Sequence, residues 1–342
     1  MMRAMLNIRN AIAVALVLSG LAAVPSLAGP VKVGELGIVA DAPFFIGIER
    51  GYFAAAGLDV TLQRFAGAAP TTLPLSTDQL QVAGGAMSAA LFNAFARGLP
   101  IRVAMARTRD MPGFSSDTLL LRDDLRDTVK RLADLKGRTV AINAPASALD
   151  YMVGKMLESD GVKFSEIRTS YMPWPDMGAA FANKAIDAGA VVEPFPVLYA
   201  ERKLAVPFRR AAEVLRDPPF EVSVILYSKG WIDRAPDDVR AFTVAYLKAA
   251  RDYYDAMRGG PERAAVVDIL AKYTNLKTKP LYDKIEWSYM DPNAQISLAS
   301  LEDQEQWYER RGQIEKPVKV ASMLDTRFLD DALKTLGRVA VK

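Results

Sequence analysis

The segment Val31–Leu62 reads VKVGELGIVADAPFFIGIERGYFAAAGLDVTL, and its pattern decides the fold. The run Val31–Val39 is mostly apolar and strand-like, and Pro43 opens a helix that is predicted to continue to Ala55. Gly57 suits the end of that helix because glycine adopts a positive φ at little cost. A second strand-like run, Leu58–Leu62, follows. Strand, helix and strand at this spacing are typical of a βαβ unit with parallel strands.

The same alternation occurs in two sets along the chain, and each set predicts one mainly parallel sheet flanked by helices. Two strands, Thr118–Leu121 and Glu221–Tyr227, are expected to carry the chain between the sheets and to act as a hinge. The predicted class is therefore α/β with two lobes and a cleft between them. The expected division is a leader (1–28), a first lobe (29–117 and 221–342) and a second lobe (118–220).

The same hydrophobic pattern predicts the other strands and helices of the chain. The remaining strands are predicted at Leu80–Ala83, Ile101–Ala106, Thr139–Ile142, Ile167–Tyr171 and Ala188–Val192. The chain after Trp231 changes to long helices, predicted at Pro236–Arg258, Pro261–Tyr273, Lys279–Ser288, Leu298–Arg310 and Thr326–Leu336.

The first 28 residues have the layout of a secretory signal peptide. Met1–Asn10 carries two arginines and no acid, Ala11–Val24 is almost wholly apolar, and Ser26 and Ala28 supply the small residues of a cleavage site. We expect cleavage after Ala28 and a monomeric protein in the periplasm.

Composition removes several classes of chemistry. The 342 residues include no cysteine and no histidine, which excludes disulfides, thiolate or imidazole metal sites and Ser-His-Asp catalysis. The formal charge of +3 becomes +1 without Arg3 and Arg9 (3 − 2). Basic residues are scattered among acids, so nucleic acid is not an expected partner. We predict no catalytic residues, no metal and no cofactor.

Ligands of open α/β sheets bind beyond the carboxyl ends of the strands, and the first lobe offers four such loops. A structural alternative exists for each: Asp41 and Ser88 can cap helices, Phe44 can lie in the core, glycines can simply make turns, and an arginine can be a surface residue. The candidates there are Asp41, Pro43, Phe44, Gly67, Gly85, Met87, Ser88 and Arg109, with Arg107 as the alternative to Arg109.

The second lobe offers Asn143, Ser147, Trp174, Glu193 and Phe195. Ser147 is at a helix start, where a hydroxyl binds anions or caps the helix. Prolines on both sides of Trp174 suggest a rigid aromatic wall in a loop. Glu193 ends a buried strand, where it either faces the cleft or serves a structural role.

The segment Ala42–Val60 resembles the opening of ABC-importer solute-binding proteins of the nitrate, sulfonate and taurine class, which also includes binders of thiamin-pyrimidine precursors. The resemblance continues through Asp134–Ala141, Ala185–Ala188, Glu193-Pro194 and Gln306–Ile314 to Asp325 and Phe328. It implies a two-lobed periplasmic protein that closes over a small molecule and delivers it to a membrane permease. A pyrimidine synthase with this fold depends on histidine and cysteine, so its activity is not expected here.

The sequence leaves two alternatives for the identity of the ligand. Within this family, Ser88, Ser147 and Arg109 resemble the residues of oxyanion binders, which implies a small organic anion such as a sulfonate or carboxylate. Trp174 and Glu193 resemble the aromatic and acidic sites of pyrimidine-precursor binders, which implies an aminopyrimidine. A secreted enzyme would need two converging carboxylates, for instance Asp41 with Glu193. A sensor that presents its ligand to a membrane receptor would share every feature of a transport protein.

Overall fold

The computed structural model describes residues 30–341, and the predicted leader lies outside them. Its strands are, in chain order, β1 (Val31–Glu35), β2 (Val60–Arg64), β3 (Val82–Ala86), β4 (Ile101–Asp110), β5 (Asp117–Arg122), β6 (Thr139–Ile142), β7 (Arg168–Tyr171), β8 (Ala188–Val192), β9 (Ala205–Arg210) and β10 (Phe220–Ser228).

The helices alternate with these strands as far as β10 and then follow one another to the end. They are α1 (Ala42–Glu49), α2 (Tyr52–Ala55), α3 (Thr72–Ser76), α4 (Ala89–Ala96), α5 (Ala148–Ser159), α6 (Trp174–Ala182), α7 (Phe195–Glu201), α8 (Ala211–Val214), α9 (Lys229–Arg234), α10 (Pro236–Met257), α11 (Arg263–Tyr273), α12 (Leu298–Arg310) and α13 (Arg327–Leu336). Between residues 30 and 341, no helix is long and apolar enough to cross a membrane.

The strands form two sheets of five, and the predicted α/β class with two lobes is confirmed. The first sheet has the order β2-β1-β3-β10-β4 and the second the order β7-β6-β8-β5-β9. In each sheet one inner strand, β10 or β5, is antiparallel to its neighbours and the other strands are parallel. We call the first sheet with its helices the first lobe and the second sheet with its helices the second lobe.

The first sheet separates two apolar cores. Alternate residues of β10 point to opposite faces, as strand geometry requires: Val224 and Leu226 join the core that continues into the second lobe. Ile225 and Tyr227 join the core formed with α1, α10, α11 and α13. The antiparallel strand is buried along its whole length, which explains its run of apolar residues.

Helix α12 contacts both lobes. Gln304 Nε2 donates to the Glu221 carbonyl oxygen of the first lobe (2.9 Å). The Trp307 indole donates to Glu158 of α5 in the second lobe (2.9 Å), and the Tyr308 hydroxyl donates to the Ser147 carbonyl oxygen (2.8 Å). Trp307 packs so closely on Gly154 that a Cβ there would lie 2.1 Å from the indole.

Four sequence-based predictions were wrong and one strand was missed. The helix predicted to continue from Pro43 to Ala55 is broken at Gly51 (φ 68°) into α1 and α2. The strands expected to cross between the lobes lie inside the sheets as parts of β5 and β10. Lys279–Ser288 is not a helix: only the 3-10 turn Lys279–Asp283 forms, and Tyr289 then pairs with Arg109 in an isolated antiparallel bridge. Trp174 does not lie in a loop but is the first residue of α6, a position where flanking prolines are tolerated. Strand β9 at the edge of the second sheet was not predicted.

Candidate functional site

A cavity lies between the lobes at the edge where the parallel strands of both sheets end. It encloses about 610 Å3 of space free of atoms, part of it open to solvent. The first lobe contributes Leu36, Ile38, Ala40, Ala68, Ala86, Arg107, Thr108, Val222, Ser223 and Ser288, and the second contributes Ser116, Asp117, Asn143, Ser147, Ala148, Leu149, Trp174, Val192 and Glu193.

Four of the predicted site residues line this cavity: Asn143, Ser147, Trp174 and Glu193. The Ser147 hydroxyl caps α5 by accepting from the Asp150 N–H (3.3 Å) and donates to Asn143 Oδ1 (3.0 Å). Both interpretations of Ser147 are therefore compatible with its position. Its hydroxyl is already engaged by the protein.

Trp174 forms one wall of the cavity. Its ring lies 5.9 Å from that of Phe195, centroid to centroid, and its carbonyl oxygen accepts from the Tyr199 hydroxyl. The indole Nε1 is buried, and no hydrogen-bond acceptor for it is found among residues 30–341. A buried donor without a partner costs about 1–3 kcal/mol, so this N–H is a group that a ligand can satisfy.

Glu193 follows β8 and is 4% exposed. Its Oε1 accepts from the Glu286 N–H (3.1 Å), and its Oε2 is buried with no partner in the described part of the chain. Burial is the main reason that the pKa of Glu193 is raised to about 8, and the nearby Glu286 and Asp117 raise it further. The charge of Arg210 opposes this shift without reversing it.

Asp117 begins β5 and is the second carboxyl group of the cavity. Its Oδ2 accepts from the Ser116 hydroxyl (3.1 Å), and its Oδ1 is buried and, within residues 30–341, unpartnered. Burial raises the pKa of Asp117 to about 7. Asp110, behind it, accepts from the N–H groups of Ser116 and Asp117, and its carboxyl group shares a hydrogen bond with that of Asp117. Burial together with the charge of Asp117 raises the pKa of Asp110 well above its usual range.

Arg107 is the cation of the cavity wall, and it is held by the protein itself. Its guanidinium pairs with Asp41 and donates to the Ala40 carbonyl oxygen (3.1 Å). The second oxygen of Asp41 accepts from the N–H groups of Leu36 and Ile38. The guanidinium also lies over Gly84, where a Cβ would approach it to 2.5 Å. Asp41 thus supports the cavity wall from behind.

The other predicted site residues do not line the cavity. Pro43 and Phe44 are buried in α1, with Phe44 against Tyr246, and Met87 and Phe195 are buried in the core. Gly85 lies under Leu226, and Gly67 is next to the lining residue Ala68. Ser88 caps α4 by accepting from the Leu91 N–H (3.2 Å).

Arg107, and not Arg109, reaches the cavity. Arg109 donates to Glu221 Oε2 (3.1 and 2.8 Å) and to the Gln295 carbonyl oxygen (2.7 Å). The pairing of β4 with β10 is irregular between Ala106 and Thr108, so alternation along the strand does not relate the two arginines, and their partners separate their roles. Those partners, Asp41 and Glu221, are distant in sequence from the arginines. The sequence pattern therefore could not decide which arginine faces the cavity.

Sequence reasoning missed Asp117, Ser116, Thr108 and Ser223 as cavity residues. The available signal was polar residues at strand ends: Ser116 and Asp117 precede an apolar strand, and Ser223 interrupts one. The Thr108 and Ser223 hydroxyls bond each other (2.6 Å). Among the residues the structure describes, no group of three or more acidic side chains is arranged to hold a metal ion.

The sequence model of the NMT1-like family matches residues 28–270, more than half of the chain, and the chain belongs to this family. A curated relative, named as an aliphatic sulfonates-binding protein of Escherichia coli (strain K12), is 34% identical over 67 residues, 20% of this chain. The match spans about a fifth (21%) of the length of that relative.

Solved structures share the fold at low identity. The alkanesulfonate-binding protein SsuA of Xanthomonas axonopodis pv. citri, bound to MOPS, has a TM-score of 0.70 at 15% identity, covering 87% of this chain and 98% of its own. The periplasmic nitrate-binding protein NrtA of Synechocystis PCC 6803 has 0.73 at 16%, covering 90% and 89%. The desulfurization enzyme DSZB also has this fold (0.63 at 14%, covering 90% and 99%). The chain is thus similar to binding proteins on a fold that also serves an enzyme.

Proposed function

We propose that the protein is the extracytoplasmic solute-binding component of an ABC importer. It takes up a small organic molecule in the cavity between its lobes and delivers it to a membrane permease. One observation carries the proposal: three buried polar atoms, Asp117 Oδ1, Glu193 Oε2 and Trp174 Nε1, have no partner in residues 30–341 and belong to side chains that line one cavity. Membership of the NMT1-like family and the sulfonate- and nitrate-binding proteins of similar fold support it.

The proposal includes a closing motion between the lobes and export to the periplasm as a monomer. The cavity is lined from both lobes, so a ligand that contacts both stabilises the closed arrangement. The moving units are taken as residues 118–220 against 29–117 with 221–342. The chain passes between the sheets through the short segments 111–116 and 215–219, and these segments, rather than the strands Thr118–Leu121 and Glu221–Tyr227, are the proposed hinge.

An aminopyrimidine is a specific candidate ligand because its ring and amino group match the wall and the carboxyl group supplied by Trp174 and Glu193. An anion such as a sulfonate or carboxylate, which the sequence favours, would need other donors in the same cavity. A secreted enzyme is the second candidate function. Asp117 and Glu193 are two carboxyl groups in one cavity, and a pKa raised towards neutral suits a carboxyl group to general acid-base catalysis.

The proposed function is tested by ligand retention. The purified protein is mixed with a bacterial metabolite extract, desalted and denatured, and the released molecules are identified by mass spectrometry. Ala68→Phe fills the cavity from its wall, and Ala69→Phe adds the same ring at the exposed neighbouring position. We expect at least one compound to be retained by the wild type and by Ala69→Phe and lost in Ala68→Phe.

Retention of no compound by any of the three proteins would contradict a solute-binding role. Recovery of a chemically altered compound, formed by the wild type and not by Ala68→Phe, would favour the enzyme. A sensor and a transport protein would both retain the intact compound. They differ in the membrane partner that the loaded protein binds.

A further inference from the structure

We propose that the cavity takes a ligand with a positively charged nitrogen group, bound by Asp117 and Glu193, and that its binding releases a proton from this carboxyl pair. The inference deepens the proposed function and rests on it, because it concerns the same cavity. It differs from the sequence-based expectation of an anion. It also adds a coupling between binding and protonation.

The pair is built by the backbone of the second sheet. Asp117 lies opposite Val192 in the antiparallel ladder of β5 and β8, and the Glu193 N–H donates to the Ser116 carbonyl oxygen (3.2 Å). The two residues are therefore neighbours in the backbone; both side chains line the cavity, where the charge of Asp117 acts on Glu193. Each uses one oxygen within the protein and leaves the other buried without an N–H or hydroxyl donor from residues 30–341. The Asp117 carboxyl group also shares a hydrogen bond with that of Asp110.

The positive groups near the cavity have acidic partners, while the buried Nε of Arg210 has no hydrogen-bond partner in residues 30–341. Arg107 pairs with Asp41 inside the wall, and Arg210 pairs with Glu286 (2.7 Å). The N-terminus of α5, which would otherwise attract an anion, has the Asp150 carboxyl group in its first turn, accepting from the Ala146 N–H (3.1 Å). An anion in this cavity would meet two acids with free oxygens and no uncommitted cation among the lining residues.

Trp174 completes the site for a cation. The faces of an indole ring attract a positive charge, and its edge carries the buried N–H that still needs an acceptor. The expected ligand is therefore small, carries an ammonium, amidinium or guanidinium group, and offers at least one acceptor atom. The unpartnered buried oxygen of each acid and the buried indole N–H set that pattern.

The coupling to protons follows from the charges around the pair. Glu193 is influenced by Glu286, Arg210 and Asp117 and lies near Tyr253, whereas Asp117 has Asp110 behind it. Burial raises the pKa values of Asp117 and Glu193 to about 7 and about 8, so the free pair holds protons near neutral pH. A bound cation favours the carboxylate. The carboxyl O–H bond then breaks, the proton passes to the buffer, and the ligand keeps its own proton.

The test uses probes that share one ring and differ in charge. Benzamidine and benzylamine are the cations, and benzoate and benzenesulfonate are the anions, each titrated at pH 7 by calorimetry at millimolar concentration. Each titration is repeated in phosphate and in Tris, because the difference in heat between buffers counts the protons released. We expect the cations to bind with release of up to one proton per ligand and the anions not to bind.

The variants are Glu193→Gln and Asp117→Asn, which preserve shape and remove the charge, with Glu213→Gln at an exposed position as the matched control. Loss of a hydrogen bond to a charged group corresponds to about tenfold or more in affinity. We expect that loss for benzamidine in the two cavity variants. The proton release should fall in Glu193→Gln and remain in Glu213→Gln.

Each other outcome overturns the inference. Binding of the anions in place of the cations would refute the ligand class and leave the solute-binding function standing. Binding of cations without proton release, or with unchanged affinity in both cavity variants, would refute the role of the carboxyl pair. If neither set binds, the charge selectivity is refuted. The proposed function is then still judged by ligand retention in the wild type and Ala68→Phe.

Discussion

Replacing Glu193 by glutamine should stabilise the protein, and more so as the pH rises. The pKa of this buried carboxyl group is raised from 4.5 to about 8. Because the folded-state pKa lies above the unfolded-state value, the folded protein holds a proton that the unfolded chain has lost. The group therefore lowers the free energy of unfolding progressively between these two pH values. Below pH 4.5 the effect is absent, because both states are protonated.

The size of the effect follows from the shift. One pKa unit corresponds to about 1.4 kcal/mol, so wild-type protein should lose roughly 3–4 kcal/mol from Glu193 between pH 5 and pH 8. Glutamine keeps an oxygen for the Glu286 N–H and carries no charge, so this loss should disappear. Asp117 and Glu221, whose pKa values are also raised by burial, contribute a similar slope to both proteins and largely cancel in the comparison.

The assay is urea unfolding of wild type, Glu193→Gln and the exposed control Glu213→Gln at intervals from pH 5 to pH 8. The free energy of unfolding of Glu193→Gln relative to wild type should rise steadily over this range. The control should follow the wild type. A difference between Glu193→Gln and wild type that stays constant with pH would refute the reasoning, because it would show that Glu193 ionises in the folded protein as it does in the unfolded chain.

Three further outcomes are expected. Trp174→Ala should weaken binding of the retained compound several-fold, since packing on an aromatic ring adds about 0.5–1.5 kcal/mol; unchanged affinity with a lower melting temperature would make the tryptophan purely structural. Gly154→Ala should lower the free energy of unfolding by about 1–3 kcal/mol because the new methyl group overpacks against Trp307. Gly67→Ala is the control, since its methyl group meets open space. Equal melting temperatures of the two variants would argue against close packing of Trp307 on residue 154. N-terminal sequencing of the exported protein should begin at Gly29, and an intact leader would contradict cleavage after Ala28.

The sequence pattern predicted most of the fold because periodicity reports local geometry. Thr139–Ile142, Ala188–Val192 and Leu298–Arg310 form with the predicted bounds. The failure at Lys279–Ser288 has a tertiary cause: the Glu286 N–H donates to Glu193 Oε1 and the Trp287 indole donates to the Tyr282 carbonyl oxygen (3.2 Å). Those bonds favour an extended chain over the helix that its composition suggests.

The position of the cavity was also predictable, because strand ends meet at one edge of a parallel sheet. Its charge was not. Ser88, Ser147 and Arg109 favour an anion when they are considered as free groups, yet each has a protein partner: the α4 backbone, Asn143 and Glu221. Asp117 and Glu193 differ from these three residues because each has a buried oxygen without an N–H or hydroxyl donor. Whether a buried oxygen has a donor depends on tertiary contacts that the sequence does not show.

The charge preference of the site therefore depends on which polar groups lack a partner within the protein, and not on which residue types line the cavity. A polar group that the protein satisfies adds shape and rigidity to a cavity, whereas an unsatisfied one retains the free energy that a ligand can recover. Among the residues that line this cavity, the satisfied groups include the cation Arg107, and the buried unsatisfied ones are two acid oxygens and one indole N–H. A fold found in sulfonate- and nitrate-binding proteins can in this way hold a site of the opposite charge preference, since the scaffold fixes where a ligand binds and the leftover groups fix which one.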